Sequence, residues 1–316
     1  IPIFIERSYA EGLRPHEYWA STYGARSGIV STKFATREGG DMAKQLTVAG
    51  GGLVVTEDNC GTLNAVPVPA SDLDNSGALL ARAYGPYKAG TPITKNVQAY
   101  LQKTKGDDEI LVRSPMTCQA RSGVCKHCAG IRETGKLPDI GYNLGIVAGS
   151  ALAEQIAQGA LGAKHTSGQK IKGSGQYTGF PVMEQMMQVP KAFPNRAAVS
   201  ELDGQVEKIT PAPQGGWYVD IGGQQHYLEK EPSIKVGATV EAGDVLSEGL
   251  VNPADVVRLK GIGEGRRYFA NNVTKIMKDS GWTVNRRNSE AVSRAMIDNV
   301  NVQDFDEVGD YLPGDK

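Results

Sequence analysis

Cys118-Gln-Ala-Arg-Ser-Gly-Val-Cys125-Lys-His-Cys128 is the stretch on which the fold turns. With Cys60, which stands alone far upstream, it holds all four cysteines of the chain. A C-x2-C pair sets two thiolates on one turn, where the backbone can aim both at a single ion. Two further thiolates complete the tetrahedron that Zn²⁺ prefers. A structural four-cysteine zinc site (Cys60, Cys118, Cys125, Cys128) is therefore the first expectation. The alternative is a pair of disulfides or unrelated buried thiols, but disulfide density belongs to short secreted chains. His127 lies inside the knuckle, and with four cysteines available it reads as a bystander.

Working outward, 316 residues suffice for two or three domains with a substantial core. No apolar run approaches a membrane span and no signal-peptide pattern is visible, which suits a zinc site in a reducing cytoplasm. The chain opens on Ile1, which points to processing or to preceding residues. Its net charge is −1. A protein that binds nucleic acid through bulk electrostatics is usually far more basic, so any such contact is local or shared with partner chains.

Upstream of Cys60, residues from about Pro15 to Leu46 are helix-compatible, with Pro15 where a first turn tolerates it. Gly24, Gly28 and the Gly39-Gly40 pair interrupt the pattern, each glycine costing up to about 1 kcal/mol relative to alanine. Two readings stay open: two or three short helices, or one long helix with built-in hinges. Leu53 to Thr56 reads as a strand, and Glu57 to Gly61 as the polar turn that delivers Cys60. Residues 62–105 read as a connector with short helices at 78–84 and 94–103. Ile110 to Pro115 is a strand running into the knuckle, and Ile131 to Gly135 is a turn leaving it.

Downstream, Asn143 to Leu161 forms a helix of small residues. It decays into a glycine-broken polar stretch from Gly168 to Gly179 that looks mobile, and Phe180-Pro181 restarts a helix. From Ala197 to Gly249 the period switches to two, predicting a small antiparallel β-domain. Its V-x-x-G-D-V-L pattern is also that of biotinyl and lipoyl carriers, but the best hairpin candidate carries Asp203-Gly204 and no lysine. Helices are expected over 253–260, over 266–279, and from a Ser289 cap through Ile297. The class is α+β. The expected divisions are 1–52, 53–140, 141–196, 197–250 and 251–316.

In this order the pieces resemble the C-terminal part of the largest (β′) subunit of bacterial-type multisubunit DNA-dependent RNA polymerase, over almost the whole chain. Ser8 to Leu13 and Ser21 to Gly28 look like the entry into that family's bridge helix, and Leu53 to Gly61 like its exit. The cysteine spacing is the family's zinc knuckle. Gly141 to Gly168 looks like the trigger-loop segment, Glu201 to Gly204 with Gly243 to Leu246 like the barrel-sandwich hybrid domain, and Asn252 to Gly261 like a closing helix. The resemblance implies a fold that is not independent of its partners: a chain carrying the rest of β′, a β-like chain, and α-like and σ-like factors. It also implies DNA template, RNA–DNA hybrid and NTPs as ligands, and two Mg²⁺ ions held by aspartates of another chain. Asp304-Phe-Asp306 is a near-miss to that aspartate motif and reads as a solvated acidic loop.

By the same resemblance His165 acts at the departing pyrophosphate, Leu161 lies on the incoming base and Gln158 reaches its ribose. Arg26, Thr32, Lys33, Thr36 and Arg37 face nucleic acid from the bridge helix. The sequence departs from the family's pattern at Gly162, where a basic or amide residue is usual, at Lys164, where an aromatic is usual, and at Ala35, where a lysine is usual. Such drift suggests a divergent polymerase with split subunits, as in large bacteriophages. A rival reading is a zinc-containing interaction module that has lost polymerase function.

Overall fold

The computed structural model describes residues 3–166, 178–283 and 285–299, side chains from 160 to 166 excepted. The chain begins with one unbroken helix, α1 (Pro15–Gly50), so the single-helix reading holds. At 36 residues it is about 54 Å long. Pro15 opens it, and the Glu17 carboxylate accepts from the Arg14 N–H at 2.8 Å and the Glu6 N–H at 3.1 Å, fixing its start. Its second half enters the main core through Met42 and Leu46, beside the buried Gly39 and Gly50, while nearer its start Glu17 and Ala20 are buried.

That half lies antiparallel against α4 (Leu144–Thr166). The two backbones approach at three points where side chains are missing. A Cβ on Gly50 would sit 2.5 Å from the Gly145 carbonyl carbon, one on Gly149 3.1 Å from the Leu46 carbonyl oxygen, and one on Gly39 2.9 Å from the Ala157 Cβ. Gly39 thus serves close packing, a physical reason for a helix-weakening residue here.

Between these helices, the strand after α1 is β1 (Val55–Glu57). The connector pairs β2 (Val66–Pro69) antiparallel with β3 (Glu109–Val112), Val66 opposite Val112. Over these strands lies α2 (Lys95–Lys105), which buries Val97 and Leu101 in a core shared with Val68, Leu80 and Ile110. The helix expected over 78–84 does not form. Leu80 instead exchanges backbone bonds with Thr91 and Gly90, and the Leu79 carbonyl accepts from the Arg113 N–H at 2.8 Å. The extended backbone adds to the edge of β3, which overrides the local helix preference of an alanine-rich run.

The knuckle supplies β4 (Val124–Cys125), parallel to β1, and the one-turn α3 (Lys126–Ala129). After α4, the chain resumes in α5 (Phe180–Gln188). A four-stranded antiparallel sheet follows, β5 (Gly204–Pro211), β6 (Trp217–Ile221), β7 (Gln224–Leu228) and β8 (Thr239–Val240), in the order β7-β6-β5-β8. Its two-residue hairpin is Gly222-Gly223, both at positive φ, as a tight right-twisted turn requires. Asp203-Gly204 sits instead where β5 starts to pair with β8. No lysine occupies either place, so the carrier reading has no attachment point.

The chain closes with α6 (Pro253–Asp279) and α7 (Arg286–Met296). The backbone of α6 is broken at Gly261, φ 84°, which accounts for the two segments read in the sequence. α7 starts earlier than expected. Its cap is Asn285, whose side chain accepts from the Arg287 N–H at 3.0 Å, while Ser289 is fully buried one turn in. One core joins α4, α5, α6, α7, the knuckle and the second half of α1. Among the described residues, no helix is long and apolar enough to cross a membrane.

Candidate functional site

The four cysteines converge although they come from two distant loops. Val124 and Cys125 pair with Val55 and Glu57, which sets the knuckle beside the turn that ends in Cys60. Gly123 makes this possible: its φ is 62°, and a Cβ there would lie 2.0 Å from the Val54 carbonyl oxygen. Inside the knuckle the Cys125 N–H donates to the Cys118 sulfur and the Cys128 N–H to the Cys125 sulfur, both at 3.3 Å. All four sulfurs lie within 4.8 Å of one another. Cys60 is 3.7 Å from Cys118 and 3.8 Å from Cys128.

Those separations decide between the two readings of the cysteines. A disulfide needs sulfurs about 2.05 Å apart, and all four cysteines are free thiols. A tetrahedron with Zn–S of about 2.3 Å has edges of about 3.8 Å. The donor set therefore fits a closed structural Zn²⁺ site with no open position for substrate. Without a cation the cluster is electrostatically frustrated: its bond with Cys125 pushes the Cys118 thiol up to about 11, and Cys128 is driven up by bonding to both neighbours. Cys125, accepting from both, is lowered. Only a central cation lets all four ionise together.

Arg113 supplies further positive charge. Its Nη2 lies 3.3 Å from the Cys128 sulfur, 3.4 Å from Cys60 and 3.8 Å from Cys125, and it also donates to Asn59 Oδ1 at 2.9 Å. Burial works against this charge, but the bond to Cys128 and the fields of Cys128, Cys60 and Cys125 outweigh it. Sequence reading missed Arg113, because its role exists only once the thiolates have been assembled around it. His127 points elsewhere: its Nε2 is 3.9 Å from Asp58, in keeping with a bystander.

The cluster ties together the bases of α1 and α4. The Val55 N–H donates to the Tyr142 carbonyl at 2.9 Å, the Gly141 N–H to Val55 at 2.8 Å and the Gly145 N–H to Leu53 at 3.1 Å. The exit from α1 and the entry into α4 are thus one hydrogen-bonded unit, and the cysteine loops are its extension.

The other sequence-predicted residues are not brought to this cluster. Arg26, Thr32, Lys33, Thr36 and Arg37 are all exposed on α1. At about 100° per residue, Arg26, Lys33 and Arg37 share one face, roughly opposite the Met42–Leu46 face that packs on α4. Thr32 and Thr36 donate back to the carbonyls of Gly28 (2.9 Å) and Thr32 (2.8 Å), one turn apart on an adjacent face. Gln158 is exposed on α4, its Nε2 3.4 Å from Glu154 Oε1. Leu161 and His165 belong to the last turns of α4, but their side chains lie outside the described residues. So do residues 167–177 of the glycine-broken stretch and the acidic stretch from Asp304 to Asp310.

A family model described as RNA polymerase Rpb1, domain 5, matches residues 12–214 and 195–310. The DNA-directed RNA polymerase subunit beta' of Symbiobacterium thermophilum is 30% identical over 98% of the chain. The subunit of the same name from Desulforudis audaxviator is 31% identical over 99%. The chain spans 28% and 29% of the length of these two relatives.

Proposed function

Because this chain belongs to the RNA polymerase Rpb1 domain 5 family, and matches the C-terminal region of bacterial β′ subunits, we propose that it is a catalytic-core part of a multisubunit DNA-directed RNA polymerase. In this reading α1 is the bridge helix, and α4 with α5 forms the arms of the trigger loop. The observation that carries it is the pairing of α1 with α4 over glycine contacts, with their joined bases pinned by a four-thiolate cluster. Such an arrangement suits two elements whose ends are fixed while their free lengths meet template and substrate.

Zn²⁺, held by Cys60, Cys118, Cys125 and Cys128, would be structural: it supplies cross-linking and no Lewis-acid step. The Mg²⁺ ions of nucleotidyl transfer would be bound outside this sequence; among the described residues, no carboxylate cluster accompanies the cysteines. Partners would be the rest of β′, a β-like chain, and α-like and σ-like factors, acting on DNA in the cytoplasm. Arg26, Lys33 and Arg37 would meet nucleic-acid phosphates from the face of α1 turned away from α4. The local charge explains how a chain of net charge −1 contributes to such a surface.

His165 would donate to, or stabilise, the departing pyrophosphate, Leu161 would cover the incoming base and Gln158 would reach the ribose hydroxyls. A positioned proton donor contributes about a hundredfold or more. In the assembled enzyme, His165→Ala should therefore slow nucleotide addition by that order while promoter binding is retained. An unchanged elongation rate removes His165 from this role. Recovery of the chain as a stable, inactive monomer that never joins a DNA-dependent complex overturns the polymerase reading itself.

A further inference from the structure

The turn that ends α6 touches both arms of the α4–α5 hairpin. It is closed by a Schellman motif: the Trp282 N–H donates to the Met277 carbonyl at 2.8 Å, and the Gly281 N–H to Lys278 at 2.9 Å. Gly281 takes the left-handed conformation, φ 74°, that this cap requires. The Ser280 hydroxyl donates to the Ile276 carbonyl at 2.6 Å and accepts from the Gly179 N–H at 2.9 Å. It thereby holds the residue that caps α5.

On the other arm, the Trp282 indole lies over α4 at Gly159. A Cβ at 159 would be 2.1 Å from Cζ2, 2.2 Å from Cε2 and 2.5 Å from Nε1 of the indole. No side chain fits there while the indole keeps its place. Glycine in a helix interior costs about 1 kcal/mol relative to alanine, so its presence here is matched by the aromatic ring that it admits. The neighbouring residue is Gln158.

We propose that Trp282 is a positioning residue for substrate selection: seated in the Gly159 notch, it sets the rotation and height of α4 and so the aim of Gln158 at the ribose of the incoming nucleotide. The inference rests on the reading of α4–α5 as the trigger-loop arms. Ring and notch fix α4 laterally, and Ser280 fixes α5 from the same rigid turn, so the spacing of the two arms is set by one cap. Positional errors of about 1 Å cost up to about a hundredfold in oriented reactions. A disturbed notch should therefore appear as lost discrimination rather than as lost folding.

The test uses the assembled polymerase carrying Trp282→Ala, Gly159→Ala or both, with His165→Ala as control. Single-nucleotide addition is measured with matched NTP and with 2′-deoxy-NTP. Each single variant should lower the NTP to dNTP ratio of kcat/KM by about tenfold. The double variant should recover part of the Gly159→Ala loss, because the added methyl then occupies space vacated by the indole. If His165→Ala slows addition while the 159 and 282 variants keep the wild-type ratio, this inference fails alone. A ratio that falls multiplicatively in the double variant, without recovery, also overturns it, since the contact is then not what is read. If His165→Ala is without effect as well, the trigger-loop reading has failed first.

Discussion

On α1, Trp19, Tyr23, Ile29, Val30 and Phe34 stand in solvent, at 70%, 63%, 64%, 46% and 56% exposure. α7 does the reverse, burying Arg286, Arg287, Asn288, Ser289, Glu290 and Ser293. Each helix is misplaced by the ordinary rule that apolar side chains go inside, and the reasons differ. In α7 the buried charges have partners within the chain, although Ser289 Oγ and Arg287 Nη2 are buried without one among the described residues: Glu290 accepts from Arg286 Nε at 3.0 Å and from the Ser114 hydroxyl at 2.8 Å. Arg286 also donates to Asn271 at 2.7 Å, and Arg287 to the Ile131 carbonyl at 2.8 Å. Burial lowers the Arg287 guanidinium to about 10, so its charge is held at a cost. In α1 the described residues leave these apolar side chains largely exposed. α7 is largely satisfied within the chain, whereas the exposed apolar side chains of α1 have the character of an interaction surface.

The largest effect is expected from breaking what both regions share. The cysteine cluster anchors the exit of α1, and Arg287 lies against Gly130 just after the knuckle. A structural Zn²⁺ contributes on the order of 10 kcal/mol. Chelation, or Cys125→Ser, should therefore abolish assembly before any effect on chemistry can be measured, as read by co-purification with the partner chains. Complex formation that survives full chelation contradicts the cluster's role as the common base.

Next in size is the α7 network. Removing one partner of a buried ion pair costs about 3–5 kcal/mol, because the other charge stays buried without compensation. Glu290→Ala strands Arg286 and the Ser114 hydroxyl together. The expected outcome is a fall in unfolding free energy of that size in urea denaturation of the zinc-loaded chain. A change below about 1 kcal/mol would show that water reaches the network and that α7 is less finished than its hydrogen bonds imply.

This contrast also explains what could be read from the sequence. The cysteines were legible because ligand spacing is local and chemically narrow. So were the β-domain, from its period of two, and α4, from its small-residue face. α7 was only half legible: Asn285 and Ser289 are both good caps, and the choice depends on Glu290 finding Ser114 across the fold, which no periodicity records. The glycines were ambiguous for the same reason. Gly39 reads in the sequence as a hinge, but it serves the close approach of Ala157, as Gly50 and Gly159 serve that of Gly145 and Trp282. The 78–84 run was misread because β3 offers it an edge to bond. Arg113 and Trp282 carried no sequence signal, since each acts on groups that only the fold brings near.

The smallest effect on stability should come from α1, and its smallness is the informative result. Phe34 is more than half exposed, and substitutions at such surface positions usually stay within about 0.5 kcal/mol. Phe34→Ser, alone or with Trp19→Ser, should leave the urea transition of the isolated zinc-loaded chain within that margin. The same substitutions should weaken assembly with the partner chains, because aromatic residues at the centre of an interface carry a disproportionate share of its energy, about 2 kcal/mol or more each. The two measurements must move apart for the comparison with α7 to stand: in α7 stability falls first and assembly follows from it, while in α1 assembly falls and stability does not. If Phe34→Ser destabilises the isolated chain as Glu290→Ala does, the aromatic face of α1 is already covered within the chain, and it is not a surface waiting for a partner.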